Sequence, residues 1–246
     1  ITKERIESLK TRLLEMGVDV FHVAIPRKIT AINKIITAYK EVKDLCDANC
    51  YRIVHCHSPI GGVVARMAAR DIRKKGTKVI YTAHGFHFYN GAPKKNWLMF
   101  YPVEKECSRL TDVLITINKE DYNRAKKAFH AKETIYVPGV GVDTDKFSSG
   151  LIDIDLKRNE LGVEKNQYMF LSVGELSERK NHEVVIKALS KIETMNYKYF
   201  IVGKGELEKY LENLVKDLGL ENKVYLLGYR TDVSELCQAA DLFIFP

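Results

Sequence analysis

Two adjacent cations, Arg179 and Lys180, stand where a predicted strand gives way to a predicted helix. The apolar run Tyr168-Met-Phe-Leu-Ser-Val173 ends at Gly174, as buried parallel strands do, and apolar residues at helical spacing resume from Val184. Asn181 is the expected N-cap of that helix. The free N–H groups and the dipole of a helix N-terminus favour an anion. The pair therefore indicates either a phosphate or diphosphate site or a solvated basic loop, and by itself does not decide between them.

Two further glycine-containing segments follow predicted strands. His84 stands beside Gly85 at the end of the strand 78–83, where a catalytic or sugar-contacting group belongs. Gly203-Lys-Gly205 indicates either a tight strand-to-helix turn or a close approach of the backbone to a nucleotide. It is not the full dinucleotide-binding pattern, because Glu208 occupies the place of the third glycine.

A third segment, Gly228-Tyr-Arg230, follows another strand. Thr231 or Asp232 can cap the helix that comes next, which explains those two residues but leaves Arg230 unexplained. We expect Arg230 to face the same strand-end rim as Arg179 and Lys180.

Four histidines raise the question of a metal. His55 and His57 alternate on a strand and so face one side, while His84 and His87 follow the next strand. A zinc site takes three or four ligands, so a zinc hydrolase is one hypothesis. No H-E-x-x-H segment or cysteine pair supports it, and satisfied core or cleft histidines are the favoured interpretation of His55 and His57.

The elements that must position these residues alternate between strand and helix. The predicted helices and strands before the linker are helix 3–16, strand 18–25, helix 29–48, strand 51–57, a helix from Ser58-Pro59, strand 78–83, helix 95–109, strand 112–117, a helix after Asn118 and strand 134–137. Asn118 is the expected cap of its helix, with Asp121 at the N3 position. Residues 144–166 are polar and break the pattern, and from Tyr168 a second series begins, ending in the strand 241–246. The alternation predicts an α/β fold of two Rossmann-like domains with parallel sheets, over residues 1–147 and 148–246.

Composition sets the outer bounds. The chain has 246 residues and a net charge of +7, which favours an acidic partner. The lysines are spread over many helices and no nucleic-acid motif accompanies them, so nucleic acid is not expected. Five scattered cysteines without a C-x-x-C pair indicate a reduced, cytoplasmic compartment. No apolar run reaches the ~18–20 residues of a membrane span.

The helix 29–48 combines an apolar side with lysines on the other, Lys28 just before its start and Lys34, Lys40 and Lys43 within it. Such a helix could lie on an anionic membrane surface, although a core helix with a solvated basic face is the favoured interpretation. Docking of this helix at the inner face of the plasma membrane would be aided by its basic residues.

In the order and spacing of its motifs the chain resembles the retaining glycosyltransferases of family 4, the "group 1" transferases of GT-B fold, and most of all bacterial members that build capsular polysaccharide or exopolysaccharide. The motifs that carry the resemblance are Thr82-Ala-His84-Gly, Val137-Pro-Gly-Val-Gly-Val-Asp143, Val173-Gly-Glu-Leu176, Arg179-Lys-Asn-His182, Ile201-Val-Gly-Lys-Gly205 and Gly228-Tyr-Arg230. The Arg-Lys-Asn element is specific, whereas the glycine turns alone would not be.

The resemblance implies that the N-terminal domain binds an acceptor and the C-terminal domain a nucleotide sugar, UDP-linked in most members. It implies a metal-independent transfer without a cofactor, in which the anomeric configuration is kept. His84 matches the histidine near the transferred sugar and is the expected catalytic residue. The expected donor-binding residues are Gly174, Glu175, Arg179, Lys180, Gly203, Gly228, Tyr229 and Arg230.

The chain departs from the family at its ends. The family's first strand with its glycine-rich loop, and two glutamates separated by seven residues after a strand like 241–246, have no counterpart here. We therefore expect a fragment truncated at both ends, with both domains incomplete, that is itself inactive. A sugar-nucleotide epimerase or a phosphorylase on the same architecture is the alternative activity.

Overall fold

A computed structural model describes residues 3–26, 28–49, 51–139, 141–148, 150 and 152–246, with the backbone alone at residues 3–5. Cys50 and Val140, which belong to the cysteine set and to the segment 137–143 considered above, lie outside the described residues. The chain divides into two units, Ile1–Val140 and Gly141–Pro246.

The first unit contains the helices α1 (Lys3–Glu15), α2 (Ile32–Ala48), α3 (Pro59–Ala68), α4 (Arg70–Lys74), α5 (Lys94–Ser108) and α6 (Lys119–Ala128). Its strands are β1 (Ile53–His57), β2 (Lys78–Ala83), β3 (Val113–Thr116) and β4 (Glu133–Tyr136). They form a parallel sheet in the order β1-β2-β3-β4. Parallel pairing along the chain order is what the alternation of strands and helices predicts.

The second unit contains the helices α7 (Ile154–Glu160), α8 (His182–Leu189), α9 (Glu208–Asp217) and α10 (Val233–Ala239), with 3₁₀ turns at Thr144–Phe147 and Glu178–Lys180. Its strands are β5 (Tyr168–Val173), β6 (Tyr197–Val202), β7 (Val224–Gly228) and β8 (Leu242–Phe243). They form a parallel sheet in the order β7-β6-β5-β8. The predicted α/β fold with two parallel sheets is confirmed.

Burial on both faces of the sheet explains the apolar run Met169–Leu171 in the middle of β5. Phe170 belongs to the core that the strands form with α8 and α9, while Met169 and Leu171 belong to the core that includes Leu236 of α10. The side chains from Met169 to Ser172 are all buried, as expected of a strand covered on both faces in a doubly wound parallel sheet. This packing holds the carboxyl end of β5, and hence the loop after it, in place.

The predicted strand at 18–25 is wrong. This segment pairs with no strand among the described residues, and Phe21 and Val18 are exposed. A strand exists only through its hydrogen-bonded neighbour, so an alternating apolar run without one forms no ladder. The last strand is likewise shorter than expected, since β8 pairs with β5 only at Leu242 and Phe243.

The division between units comes earlier than the predicted boundary at residue 147. The 3₁₀ turn Thr144–Phe147 packs on α10, and the Gln238 side chain donates to the carbonyl oxygen of Lys146 at 3.4 Å. The polar stretch 144–166 also contains α7, which Asp153 caps by accepting from the N–H of Leu156. The polar composition of this stretch gave no sign of α7, because the helix is stabilised by this cap and by tertiary contacts and not by an apolar pattern.

Candidate functional site

Three glycines end three neighbouring strands of the second unit. Val173 pairs with Val202, and Val202 pairs with Gly228, so β5, β6 and β7 finish at one edge of the sheet. The hydrogen-bond ladder runs one step further, from the N–H of Gly174 to Val202 (2.9 Å) and from the N–H of Gly203 to Gly228 (2.8 Å). Gly174, Gly203 and Gly228 are thereby brought together, as carboxyl ends of parallel strands must be.

The two glycines of Gly203-Lys-Gly205 have a structural reason of their own. A Cβ atom on Gly203 would lie 1.8 Å from the carbonyl oxygen of Gly174, and one on Gly205 would lie 2.2 Å from that of Leu176. Gly203 also has a φ of +149°, which favours glycine. The close approach that these glycines allow is therefore to the neighbouring loop after β5, and this contact holds that loop in position.

Arg179 and Lys180 occupy the loop that is held in this way. They form a 3₁₀ turn before α8, in which the N–H of Lys180 donates to Ser177 at 3.0 Å. Arg179 is exposed, while the stem of Lys180 lies over Gly174 and its Nζ is 4.3 Å from the ring centroid of Phe245. Within the described residues neither cation has a carboxylate partner. We call Arg179 and Lys180 the open pair.

The start of α8 beside the open pair differs from the prediction in one respect. Asn181 stands at the N-cap position, but it has a φ of +46° and its side chain caps no N–H group. His182 behind it is 3% exposed, and neither ring nitrogen reaches a partner with hydrogen-bond geometry within the described residues. Burial lowers the pKa of His182 and outweighs the opposing effect of the Glu175 backbone. The side chain beneath the loop is therefore a neutral imidazole, in which one ring nitrogen can donate a hydrogen bond and the other can accept one.

Arg230 is not a third free cation. Its guanidinium donates to both oxygens of Asp232, at 2.8 and 2.6 Å, and to Glu160 of α7 at 2.9 Å. Lys157 joins the same carboxylates and Glu235 at 2.8 to 2.9 Å. We call these five residues the paired cluster. Asp232 caps nothing through its side chain, contrary to expectation, because Arg230 and Lys157 occupy its oxygens.

Each partner in the paired cluster stabilises the charge of the others. The hydrogen bonds from Arg230 and Lys157 lower the pKa of Asp232, and those from Lys157 and Arg230 lower the pKa of Glu160. Glu175 and Tyr229, the remaining predicted donor contacts, are exposed on the loops after β5 and β7. The sequence missed Lys157 and Glu160 because α7 was taken for linker.

In the first unit His84 follows β2, beside the end of β1. Its Nε2 lies 3.0 Å from Nδ1 of His57, and the ring centroids of His55 and His57 are 4.4 Å apart, which confirms that these two share one side of β1. His55 in turn bonds Thr82 at 2.9 Å. Burial, His55 and His84 lower the pKa of His57, so a neutral imidazole orients His84.

The loop after His84 is anchored from α6. The Asp121 carboxylate accepts from the N–H of Phe86 at 2.9 Å and from the side-chain amide of Asn118. Asn118 caps the helix as predicted, because its side-chain oxygen accepts from the N–H of Asp121. Gly85 has a φ of +142°, which lets the chain turn between His84 and this anchor. The sequence pointed to Asp121 only as a capping residue, and no local pattern pairs it with residue 86.

Ser58 is a further residue for which the sequence indicated no functional role. It directly follows His57 and holds a φ of 63° and a ψ of 152°, a conformation that is strained for a residue with a side chain. Such strain often marks functional sites. Among the described residues no cluster of three or more histidine, cysteine, aspartate or glutamate side chains is arranged to hold a metal ion.

Comparisons with known proteins agree with this arrangement of strand-end loops. Residues 153–246 match the model of "Glycosyl transferases group 1", and residues 4–118 match that of "Glycosyl transferase 4-like". The chain belongs to the group 1 glycosyltransferases.

Two curated relatives are informative. The putative glycosyltransferase EpsD of Bacillus subtilis is 41% identical over 213 residues, which are 85% of this chain and 56% of the relative. The UDP-Gal:alpha-D-GlcNAc-diphosphoundecaprenol alpha-1,3-galactosyltransferase of Escherichia coli is 32% identical over 225 residues, 89% of this chain and 56% of the relative. The chain therefore spans little more than half the length of these proteins.

Solved structures show the same fold. Anabaena HepE in complex with UDP-glucose has a TM-score of 0.72 at 23% identity, over 97% of this chain and 63% of HepE. The lipopolysaccharide glycosyltransferase WaaG has a TM-score of 0.58 at 18% identity, over 85% of this chain and 70% of WaaG. The GT-B fold expected from the motifs is thus confirmed.

Proposed function

We propose that this chain belongs to an enzyme that transfers a sugar from a UDP-linked donor to a glycan or lipid-linked acceptor, with the anomeric configuration kept. The observation that carries the proposal is the open pair: two cations without carboxylate partners among the described residues, at the carboxyl end of β5. Ligands of open parallel sheets bind at that edge. The match to group 1 glycosyltransferases and the likeness to a UDP-glucose complex support the choice of ligand.

The chemistry follows from where charge develops. When the glycosidic bond to the donor breaks, negative charge accumulates on the leaving diphosphate. Arg179 and Lys180, already in position, stabilise that charge without reorganisation, and the adjacent start of α8 adds its dipole. With two cations in this role, the transfer needs no metal ion or cofactor.

The other predicted donor contacts keep their proposed roles with one change. Gly174 and Gly228 let their loops approach the nucleotide, Gly203 contributes by letting the loop after β5 pack against it, and Glu175 and Tyr229 face the nucleotide from the loops. Arg230 takes part indirectly, because its contacts to Asp232 and Glu160 brace the loop that carries Tyr229. In the first unit, His84 contacts the transferred sugar, and His57 fixes the orientation of its ring.

The relatives also guide the proposed acceptor and location. One acts, by its name, on a diphosphoundecaprenol-linked acceptor, and we propose a surface glycan attached to a similar lipid as the acceptor here. Such an acceptor places the enzyme in the cytoplasm, in peripheral contact with the inner face of an anionic membrane. Among the described residues, no helix has the length and apolar character needed to cross a membrane.

Calorimetric titration with UDP tests the donor site. We expect binding that Arg179→Ala and Lys180→Ala each weaken by about 10-fold, the loss of one charged hydrogen bond. Lys191→Ala, which removes an exposed lysine beyond the other end of α8, is the matched control and should bind like the unaltered chain. Equal UDP affinity in all four proteins would exclude the open pair from the donor site.

A further inference from the structure

An apolar groove runs between three helices of the first unit. Its narrow part, about 280 Å³, lies between Ile35 of α2, Val63 of α3, and Met99 and Val103 of α5. Its wide part, about 650 Å³, is lined by residues that include Lys28, Ser58 and His87. Both parts share Ile29, Pro59, Ile60 and Phe100, so they adjoin. We call the whole the α2–α3–α5 groove.

The two ends of the groove differ in chemistry. The narrow part is walled by aliphatic side chains, and its one acid, Glu104, is neutralised by the buried Arg66 at 2.8 Å. The wide part reaches Ser58, which directly follows His57, the partner of His84. A ligand that fills the groove would therefore be apolar at one end and lie near the candidate catalytic histidine at the other.

One lysine lines the wide end, and two more stand on a helical turn that is tied to its wall. Lys28 lines it, and His87 in its wall packs on Phe100 of α5, with ring centroids 4.6 Å apart. The Asn96 side chain donates to the carbonyl oxygen of His87 at 3.1 Å, which brings the first turn of α5 with Lys94 and Lys95 to this end. The first turns of α3 and α5 contain no acidic residue. The wide end therefore suits an anionic group.

The apolar end opens to the surface. Met99 and Val103 are 43% and 45% exposed although they line the groove, whereas Leu98, the residue before Met99 on α5, does not line it. Single exposed apolar residues are ordinary, but a contiguous set beside an apolar groove marks a binding surface. A hydrocarbon chain leaving the groove would pass over this surface.

We propose that the α2–α3–α5 groove binds the hydrocarbon chain of a lipid-diphosphate-linked acceptor, with the diphosphate at Lys28 and the first turn of α5. This rests on the proposed function, in which such a lipid carries the acceptor sugar. The groove is apolar where the chain would lie, has Lys28 where the diphosphate would lie, and ends at Ser58, the residue next to His57, on the side where the sugar would lie. A glycan without lipid would leave the narrow part unused.

The first experiment measures binding of farnesyl diphosphate, a short isoprenoid diphosphate, to the 246-residue chain, with inorganic diphosphate and farnesol as comparisons. We expect farnesyl diphosphate to bind at least ~10-fold more tightly than inorganic diphosphate, because apolar burial adds to the charge interaction. Lys28→Ala should weaken farnesyl diphosphate several-fold and leave farnesol unchanged. Equal affinity for farnesyl and inorganic diphosphate would overturn the proposal.

A matched pair of variants separates the groove from general adhesion to lipid. Met99→Asp puts a charge in the wall and should weaken farnesyl diphosphate by about 10-fold or more, since a carboxylate resists burial. Leu98→Asp puts the same charge one residue away, outside the groove, and should change affinity by less than ~2-fold. Met99→Thr, a milder change, guards against misfolding and should show a smaller loss in the same direction.

Other occupants of the groove give different results. Equal losses in Met99→Asp and Leu98→Asp would indicate adhesion to a lipid surface, and a dimer in light scattering that Met99→Asp dissociates would indicate a second copy of the chain; either result overturns the proposal. UDP titration of the same samples keeps the two proposals apart. Chains that bind UDP but not farnesyl diphosphate would refute the groove alone, and the reverse would refute the donor site alone.

Discussion

Two groups of cations in the second unit have opposite fates. The open pair, Arg179 and Lys180, meets no carboxylate within the described residues, whereas the cations of the paired cluster, Lys157 and Arg230, face Asp232, Glu160 and Glu235. Both groups would look alike if only basic residues near strand ends were counted. The comparison teaches that basic residues near strand ends can form an anion site only where no carboxylate lies close enough to pair with them.

The glycine contact that holds the open pair gives the largest expected effect. Gly203→Ala forces a Cβ atom to within 1.8 Å of the carbonyl oxygen of Gly174 at a φ of +149°. We expect a loss of about 3 kcal/mol or more in the free energy of unfolding, together with loss of UDP binding.

Gly219→Ala is the control for that experiment. Gly219 also has a positive φ, +64°, but nothing lies within 4 Å of the position that a Cβ atom would take there. Its replacement should cost about 1 kcal/mol, from backbone strain alone, and should leave UDP binding intact. Denaturant unfolding of both variants measures the difference, and equal midpoints would show that the loop contact does not matter.

Removing the carboxylates of the paired cluster should make it resemble the open pair. In the double variant Glu160→Gln and Asp232→Asn, Lys157 and Arg230 face only Glu235. We expect affinity for inorganic diphosphate to rise by about 3- to 10-fold, because unpaired cations now attract the anion. The control, Glu208→Gln with Glu212→Gln, removes the same charge from α9, where neither glutamate has a salt-bridge partner among the described residues. Equal gains in both double variants would attribute the effect to net charge.

The paired cluster should also give stability a pH dependence that the open pair does not. The hydrogen bond from Arg230 lowers the pKa of Asp232. The contribution of this ion pair to the free energy of unfolding is therefore complete above the ordinary aspartate pKa, and it is lost as the pH falls through the lowered pKa of Asp232. At pH 7 we expect Arg230→Met to cost about 1 kcal/mol. In scanning calorimetry, the difference in the free energy of unfolding between Arg230→Met and the unaltered chain should shrink steadily below about pH 4. A difference that stays constant down to about pH 3 would contradict this assignment.

The smallest expected effect concerns the ring beside Lys180. The Nζ of Lys180 lies 4.3 Å from the ring centroid of the exposed Phe245, and such exposed contacts contribute about 0.5–1 kcal/mol. Phe245→Leu should change UDP affinity by less than about 5-fold, whereas Lys180→Ala changes it more. If both substitutions weakened UDP equally, the ring and not the charge would dominate the contact.

Much of this molecule was predictable because local patterns carry it. The apolar strands ending at Gly174, Gly203 and Gly228 predicted parallel sheets and their shared edge, and Asn118 predicted its cap. The strand at 18–25 failed because pairing depends on a neighbour. Arg230 differed from expectation because Glu160 lies 70 residues before it, on a helix that its polar surroundings concealed.

By itself the sequence determined the fold class, the strand-end position of the candidate residues and the presence of cations there, since periodicity and turn glycines are local properties. Only the tertiary structure decided which cations stay unpaired, that His57 bonds His84, and that α2, α3 and α5 enclose an apolar groove. These features join residues far apart in the chain, and their distances are set by how helices pack on the two sheets.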